Sequence, residues 1–329
     1  MRPLLYLHVG YPKTGTSAIQ ATLYANLARL REHSILYPRA AVALPAKGHH
    51  NLPRSLTQVK GIPHHLHRSE VGGFPEVLAE IHAAGCRKVI VSSEGFNHVC
   101  RTNPLLFQAV IAEHFGGLDT CIVVFVRRAD DYLESKFLQT LRDWGQDRRD
   151  HPTPKLDDYI EGILAQPTDH LRTVFNLMDL PFDLVVRMYA SDSVAEMCRL
   201  ADYEGPLETL PRRNRRLTLK QASLLYLLSS SDRASEARDT IRRSPRRFRK
   251  LMAFEDDRPE YRLIPPARAT ELLQRVQGAY GKIADRTGVP LTAEAYGQYE
   301  TVALNADAFT ESERRSVEQF FGFGLSSLR

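Results

Sequence analysis

Two glycines, a lysine and several hydroxyl-bearing residues lie close enough together near the start of the chain to bind one anion. The stretch His8–Ser17, which contains Gly10 and Gly15, directly follows the apolar run Leu4–Leu7, which predicts a short buried strand. Glycine permits backbone angles closed to other residues, so that successive N–H groups converge on an anion at the positive end of a helix. Such a helix is predicted next, because apolar residues recur at helical spacing at Ile19, Leu23, Leu27 and Leu30.

The loop differs from the usual nucleoside-triphosphate loop in the position of its lysine. The pattern G-x-x-x-x-G-K-[ST] matches at Gly10, Gly15 and Ser17, but Thr16 takes the place of the lysine and the cation stands at Lys13. A cation inside the loop still neutralises a phosphate or a leaving-group oxygen. The usual pairing of lysine with Mg²⁺ on a β/γ-phosphate is disfavoured, so a kinase or another NTPase is the alternative interpretation.

A second motif supplies fixed positive charge at the end of another predicted strand. The apolar run 122–126 ends in Arg127 and Arg128, and Ser135 follows about two turns into a predicted helix. Ligands bind at the carboxyl ends of parallel strands, and a guanidinium fork with an added hydroxyl suits a phosphate dianion. The alternative is a solvated arginine pair with a salt bridge to Asp130 or Asp131.

Together the two motifs resemble those of sulfotransferases that use 3′-phosphoadenosine-5′-phosphosulfate (PAPS), of the soluble bacterial type. The resemblance covers about the first 190 residues, and P-K-T-G-T-S is similar to the family's 5′-phosphosulfate loop. It implies that Lys13, Thr14, Gly15, Thr16 and Ser17 hold the 5′-side, and that Arg127 and Ser135, eight positions apart, hold the 3′-phosphate. A proline is common in the family where this chain has Ala129, which leaves the choice between Arg127 and Arg128 open.

The resemblance also implies a proton acceptor and an adenine neighbour. Glu94 ends the predicted strand 88–94, where related carbohydrate sulfotransferases place a glutamate, so Glu94 is the first candidate for the base. The cytosolic aryl and steroid class uses a histidine, for which His50, His49 and His98 are the alternatives. Tyr189 ends the strand 182–188, where the family often has a tyrosine near the adenine.

Sulfuryl transfer requires a cation on the departing phosphate, a positioned acceptor and a proton acceptor. Lys13 meets the first requirement. The transferred group carries less charge than a phosphoryl group, so no metal is expected. Five histidines between residues 40 and 73 raise a metal alternative, but they lack acidic or cysteine partners at ligand spacing, and a loop on the acceptor side is preferred.

Composition predicts a soluble cytoplasmic protein. The chain has 329 residues, 43% of them hydrophobic and 25% charged, with a net charge of +5. Its four cysteines are widely spaced and are expected to be reduced thiols. No apolar run is long enough for a membrane span, and the chain enters its first strand without the pattern of a signal peptide.

Alternating strands and helices predict an α/β fold with a doubly wound, mainly parallel sheet of four to five strands. Residues 1–205 are expected to form the PAPS-binding core. Residues 40–73 are expected to be irregular, and a helix is expected over 104–115. Beyond about residue 205 the patterns are helical, over 218–231, 234–251, 266–286 and 311–322, and 206–329 are expected to form a helical C-terminal cap that packs on the core and is not an independent domain.

Two arginine-rich segments, 212–216 and 238–250, leave the choice of partner open. Each is compatible with a solvated surface or with a groove for an anionic acceptor. The expected partner is a sulfate acceptor, a glycan or a small molecule, without nucleic acid. A non-catalytic nucleotide- or nucleic-acid-binding protein is the remaining alternative. The acceptor and the oligomeric state are not predicted.

Overall fold

The structure is a computed structural model that describes residues 2–146, 153–189, 192–208, 216–254, 261–291, 299 and 301–328. It confirms an α/β fold with one five-stranded sheet in which every strand pair is parallel. The strands are β1 (Leu4–His8), β2 (Ile35–Leu36), β3 (Lys88–Ser92), β4 (Asp119–Val126) and β5 (Asp183–Met188). Their near-continuous apolar sequences are typical of parallel strands buried on both faces.

The spatial order of the strands is β2-β3-β1-β4-β5, so β1 lies at the centre. His8, its last residue, is level with Ser92 of β3 on one side and with Val123 of β4 on the other. Strands β2 and β3 lie on one side of β1 and strands β4 and β5 on the other, which makes the carboxyl end of β1 the point where the strand order reverses. The segments that follow β1, β3 and β4 therefore meet at one edge of the sheet.

Helices make up most of the remaining described residues. They are α1 (Thr16–Ala25), α2 (Leu27–Glu32), α3 (Asn51–Arg54), α4 (Phe74–Ala84), α5 (Gly95–Thr102), α6 (Pro104–Phe115), α7 (Ala129–Gly145), α8 (Leu156–Ala165), α9 (Arg172–Met178), α10 (Ser193–Leu200), α11 (Leu219–Ser230), α12 (Ala234–Arg243), α13 (Pro245–Leu251), α14 (Pro266–Thr287) and α15 (Glu311–Phe321). Within the described ranges, no helix is long and apolar enough to cross a membrane.

The chain divides into two compact units. The first contains residues 1–128, 168–214 and 277–292, and the second contains 129–167, 215–276 and 293–329. These points of division differ from the expected boundary at residue 205, which stays a prediction. The helical pattern predicted beyond that boundary is confirmed for the described residues, where the only β-pairing is an isolated bridge between Arg262 and Thr301.

The first unit has the sheet at its centre. Alternate side chains of β1 and β4, including Tyr6, Val123 and Phe125, face one side, where they pack with Ile19 and Leu23 of α1. Those two helix residues are fully buried. Burial of this apolar stripe holds α1 in place, and with it the loop that joins α1 to β1.

The second unit has its own core around Trp144 of α7, the only tryptophan of the chain. Gly145 lies against α11 so closely that a Cβ there would be 2.5 Å from Leu225 Cδ2. Arg216, the one described member of the segment 212–216, pairs with buried Glu134 and donates a hydrogen bond to the Tyr261 carbonyl at 2.7 Å. Arg216 is exposed but is bound to these two residues of the unit, and the rest of that segment lies outside the described residues.

Candidate functional site

The loop between β1 and α1 has three residues in the left-handed region of backbone space. Gly10 has a φ of 95°, Gly15 of 78° and Lys13 of 71°. Glycine adopts this region without a penalty, whereas a side chain such as that of lysine is strained there. The two glycines are thus where the turn requires them, and Lys13 is held by its surroundings in an unfavourable conformation.

Hydrogen bonds within the loop fix its shape. The Tyr11 N–H donates to Thr14 Oγ1 at 3.2 Å, and the Thr14 hydroxyl donates to the Tyr11 carbonyl at 2.6 Å. The Thr16 hydroxyl donates to the same carbonyl at 3.2 Å. Thr14 and Thr16 are buried, and their hydroxyls form hydrogen bonds within the loop. Their backbone N–H groups are the donors that an anion could use. Ser17 is exposed at the second position of α1.

The loop ends at the amino terminus of α1. The N–H groups of Ala18 and Ile19 both donate to the Gly15 carbonyl, which begins the helix. The N–H groups of the preceding residues lie outside the regular helical pattern and carry the positive end of the helix dipole. The predicted glycine turn and helix start are therefore present at Gly15–Ser17, and anion binding there stays a prediction.

Arg127 connects the end of β4 with this loop. Its Nη1 donates a hydrogen bond to the Lys13 carbonyl at 3.1 Å, and its Cζ lies 5.3 Å from the centre of the Tyr189 ring. Its Nε is buried and has no hydrogen-bond partner among the described residues. A buried N–H without an acceptor is unfavourable, and an anion at this place would satisfy it. Of the two arginines, Arg127 is thus seen to contact the loop.

Tyr189 and Ser193 close the loop from the side of β5 and α10. The Tyr189 N–H donates to the Val126 carbonyl at 2.7 Å and so extends the pairing of β5 with β4. A Cβ placed on Gly15 would lie 3.1 Å from Tyr189 Cε2 and 2.2 Å from Ser193 Oγ. No larger residue fits at Gly15 in this arrangement. The sequence predicted Tyr189 here but missed Ser193, whose only signal was its place after Asp192 at a helix start.

Glu94 follows β3 and lies against the first residue of the loop. A Cβ on Gly10 would be 3.4 Å from Glu94 Cγ and 3.5 Å from its Cα. The preceding Ser93 donates its N–H to the His8 carbonyl at 3.0 Å, which carries the β1–β3 pairing to the point where both chains leave the sheet. The structure thus brings Glu94 to the loop.

His50 reaches the same point from the segment that precedes α3. Its Nδ1 lies 3.0 Å from Ser93 Oγ, which also accepts the Gly95 N–H at 3.3 Å. Burial, and secondarily the charge of Arg54, lowers the pKa of His50 to about 4. The imidazole is therefore neutral at pH 7. Glu94 and His50, the two candidate bases, both meet at the carboxyl end of β3.

His49 holds this segment to the sheet. Its backbone N–H donates to the Ser92 carbonyl at 2.8 Å, and its Nδ1 accepts the Ser92 N–H at 3.1 Å. Its Nε2 donates to the Pro38 carbonyl at 2.9 Å. Burial lowers its pKa to about 4. Both ring nitrogens are occupied by the backbone, so the geometry favours a structural role for His49 over that of a base.

His98 lies farther along α5. Its Nε2 is 2.7 Å from the Lys60 carbonyl, and Gly61 packs against the same nitrogen. This contact ties α5 to the segment after α3. Among the described residues, no group of three or more His, Cys, Asp or Glu side chains is arranged to hold a metal ion.

A buried polar network beneath the loop was missed by the sequence reasoning. Ser92 Oγ lies 2.8 Å from His8 Nδ1 and accepts a hydrogen bond from Gln20 Nε2 at 3.1 Å. Ser92 Oγ therefore bridges the His8 ring and the Gln20 amide. Burial lowers the pKa of His8 to about 3. The network joins β1, β3 and α1 directly below the site.

Ser135 lies half-buried on α7, in the second unit. The loop and Arg127 belong to the first unit. The participation of Ser135 in binding the same phosphate as Arg127 stays a prediction.

The first unit thus gathers Lys13, the loop N–H groups, Arg127, Tyr189 and Glu94 at the carboxyl ends of four parallel strands. The N–H groups at the start of α1 and the Arg127 Nε, which has no acceptor among the described residues, are donors that suit anionic groups. Comparison of the chain with protein-family models, with curated proteins and with solved structures finds no match.

Proposed function

We propose that this protein is a sulfotransferase that moves the sulfuryl group of PAPS to a hydroxyl or an amine of an acceptor. Lys13 and the N–H groups of Thr14, Gly15, Thr16 and Ser17 would hold the 5′-side of the donor. Arg127, with Ser135, would hold the 3′-phosphate, and Tyr189 would lie near the adenine. PAPS supplies an activated sulfuryl group, whose bond to the 5′-phosphate oxygen breaks as the bond to the acceptor forms.

The observation that carries this proposal is the position of Arg127 relative to Lys13. One guanidinium nitrogen holds the carbonyl of the loop lysine at 3.1 Å, while the buried Nε has no acceptor within the described residues. An anion-binding loop with a second, preorganised cationic donor beside it matches the two charged ends of adenosine 3′,5′-bisphosphate. Fixed donors of this kind bind anions without having to be reorganised.

The remaining residues account for the chemistry. Lys13 and the N–H groups at the start of α1 stabilise the negative charge that develops on the departing phosphate oxygen. Glu94 takes the proton of the acceptor, and it lies against Gly10 at the start of the loop. His50 is neutral at pH 7 and is the second candidate for this step.

The first experiment is a calorimetric titration of the protein with adenosine 3′,5′-bisphosphate in EDTA and, separately, with ATP and Mg²⁺. Micromolar, metal-independent binding of the bisphosphate is expected, weakened in Arg127→Ala and in Ser135→Ala. Arg31→Ala is the matched control, because Arg31 is an exposed arginine on α2 away from the loop. Transfer of labelled sulfate from PAPS to a panel of acceptors then tests turnover.

Two outcomes would contradict the proposal. A preference for Mg²⁺·ATP would identify the protein as a phosphoryl-transfer enzyme, the alternative that Thr16 in the lysine position disfavours. Tight binding of the bisphosphate without transfer to any acceptor would identify a non-catalytic nucleotide-binding protein.

A further inference from the structure

Two arginines, Arg54 and Arg68, lie on the segment that follows His50, next to the candidate bases His50 and Glu94. They are called the arginine pair below. From His49 to Ser69 the chain has three permanently basic side chains, Arg54, Lys60 and Arg68, and no aspartate or glutamate. Arg54 is half-buried at the end of α3, and Arg68 is exposed. The segment is thus a cationic surface that none of its own residues neutralises.

The structure holds the two guanidinium-bearing residues together. Asn51 is fully buried and accepts the Arg68 N–H at 2.9 Å, while its amide donates to the Arg68 carbonyl at 2.8 Å and to the Gly72 carbonyl at 2.6 Å. Asn51 is the first residue of α3 and Arg54 is the last, so these bonds fix Arg68 to the helix that carries Arg54.

The two positive charges act on each other. The pKa of Arg54 is lowered from its ordinary value, by partial burial first and by the charge of Arg68 second. The Arg54 side chain donates a long hydrogen bond to the Leu66 carbonyl at 3.4 Å. Neither arginine forms an ion pair with a carboxylate of the described residues. Two like charges held close without a counter-ion raise the free energy of the empty protein, and a bound anion removes that penalty.

The same helix adjoins the candidate base. His50, directly before α3, contacts Ser93, and Pro53 packs on Gly95, where a Cβ would lie 2.5 Å from Pro53 Cγ. Ser93 and Gly95 flank Glu94 in the chain. The arginine pair is therefore attached to the side of the site from which the acceptor's proton is removed, and not to the side of Arg127 and Tyr189.

We propose that Arg54 and Arg68 bind an anionic group of the sulfate acceptor: a carboxylate, sulfate or phosphate that the acceptor carries near the position to be sulfated. This inference rests on the proposed function, because it assigns a substrate class to the same site. A neutral acceptor would leave both guanidinium groups without a counter-ion.

The test measures binding of matched acidic and neutral probes to protein saturated with adenosine 3′,5′-bisphosphate. The probes are a hyaluronan tetrasaccharide for the carboxylate, a chondroitin sulfate tetrasaccharide for the sulfate, glucose 6-phosphate for the phosphate, and cellotetraose as the neutral member. At least one acidic probe is expected to bind. The dissociation constant of cellotetraose is expected to be at least about tenfold higher than that of this probe. Comparison of the three acidic probes identifies which anion the site prefers.

Variants distinguish the specific effect of the arginine pair from the effect of the protein's net charge. Arg54→Gln and Arg68→Gln are each expected to weaken the acidic probe about tenfold, whereas Arg31→Gln, which removes the same charge from α2, leaves binding unchanged. Arg54→Lys keeps the charge and retains part of the affinity. Because Asn51 holds Arg68 through its backbone, Arg68→Gln leaves the fold of the segment intact.

Three results would overturn the inference: equal affinity for cellotetraose, equal loss in Arg31→Gln, or no binding of any acidic probe. Bisphosphate binding is measured in the same samples. Its absence in the wild-type protein would contradict the proposed donor site, independently of what the acidic probes show.

Discussion

At the scale of single residues, the most informative feature is the backbone of Lys13. A non-glycine residue in the left-handed region costs about 1–2 kcal/mol, and such strain is enriched at functional sites without being confined to them. Lys13 keeps this conformation although glycine would adopt it freely. The strain is what we expect of a residue retained for its charge on the departing phosphate.

Lys13→Gly is therefore expected to separate stability from function. Relief of strain should raise the free energy of unfolding by roughly 1 kcal/mol, while loss of the ammonium group should weaken bisphosphate binding and abolish transfer. Chemical denaturation and calorimetry measure the two effects. Lys47→Gly is the matched control, because Lys47 has a φ of 66° outside the loop and should gain stability without loss of binding. Equal bisphosphate affinity in wild-type protein and Lys13→Gly would remove Lys13 from the site.

Replacement of Arg127 tests the second phosphate position. Arg127→Ala removes the guanidinium that holds the Lys13 carbonyl and the buried Nε, and is expected to weaken bisphosphate binding by about 2 kcal/mol or more. Arg127→Lys keeps the charge without the planar fork, so we expect an intermediate loss. Calorimetry with adenosine 5′-monophosphate supplies the comparison. If Arg127→Ala lowers the affinity for the bisphosphate and for the monophosphate equally, Arg127 does not bind the 3′-phosphate.

Glu94→Gln is expected to leave bisphosphate binding unchanged and to lower the rate of sulfate transfer by about 100-fold or more, because the amide cannot accept the acceptor's proton. His50→Gln is its comparison, since both residues lie at the end of β3. Single-turnover transfer from PAPS measures the two rates. Full turnover in Glu94→Gln together with loss in His50→Gln would move the base assignment to the histidine.

At the scale of elements, the site depends on how closely α10 and β5 approach the loop. The contact is through Gly15, which combines a φ of 78° with the nearness of Tyr189 and Ser193. A side chain at this position meets both the backbone restriction and a collision. The start of α10 therefore limits what residue the loop can have.

Gly15→Ala is expected to lower the free energy of unfolding by more than Gly85→Ala does. Gly85 ends α4 with a φ of 60° and has nothing within 4 Å of an added Cβ, so its replacement measures backbone strain alone, about 1–2 kcal/mol. The difference between the two variants reports the collision. Ser193→Ala in the Gly15→Ala background should recover part of it. Equal losses in the two single variants would show that the loop accommodates the methyl group.

The strands and most helices were predicted because their sequence patterns are local. The helix predicted over 104–115 is confirmed as α6, and the strand over 182–188 as β5 with one residue fewer. The single helix predicted over 234–251 was wrong: Pro245 cannot continue a helix, and the chain divides there into α12 and α13. A break in a helix at a proline such as Pro245 is predictable from the sequence.

The segment between β2 and α4 was expected to be irregular, but it contains α3. Its order comes from His49 and Asn51, whose partners are distant in sequence, at Ser92 and at Arg68. The hydrophobic periodicity of the sequence does not predict hydrogen bonds between residues that are distant in sequence. The same reason explains why the network of His8, Ser92 and Gln20 was missed, although the loop and the arginine strand were found.

At the scale of the whole molecule, three histidines make stability dependent on pH. Burial lowers the pKa of His8 to about 3 and, as the largest cause, the pKa values of His49 and His50 to about 4. In the unfolded chain these groups take up protons near pH 6.5. Between that pH and the folded values the unfolded state binds more protons, so stability is fully present above pH 6.5 and is lost as the pH falls.

Each histidine contributes up to roughly 1.4 kcal/mol per pH unit within this window. Denaturant unfolding at several pH values between about 7 and 5 is expected to show a steep decline, which His49→Gln makes shallower. His82→Gln, which replaces an exposed histidine of α4, is the matched control. A wild-type stability that does not change over this range would contradict the neutral, buried state of the three rings.

The distribution of cysteine and tryptophan provides each unit with its own reporter. All four cysteines are buried in the first unit, and burial raises the pKa of Cys100 to about 12 and those of Cys121 and Cys198 to about 11. The one tryptophan, Trp144, is buried in the second unit. Thiol labelling therefore follows the opening of the first unit, and indole fluorescence follows the second. The wild-type chain carries both signals, so the cooperativity between its two units is measurable without engineered labels.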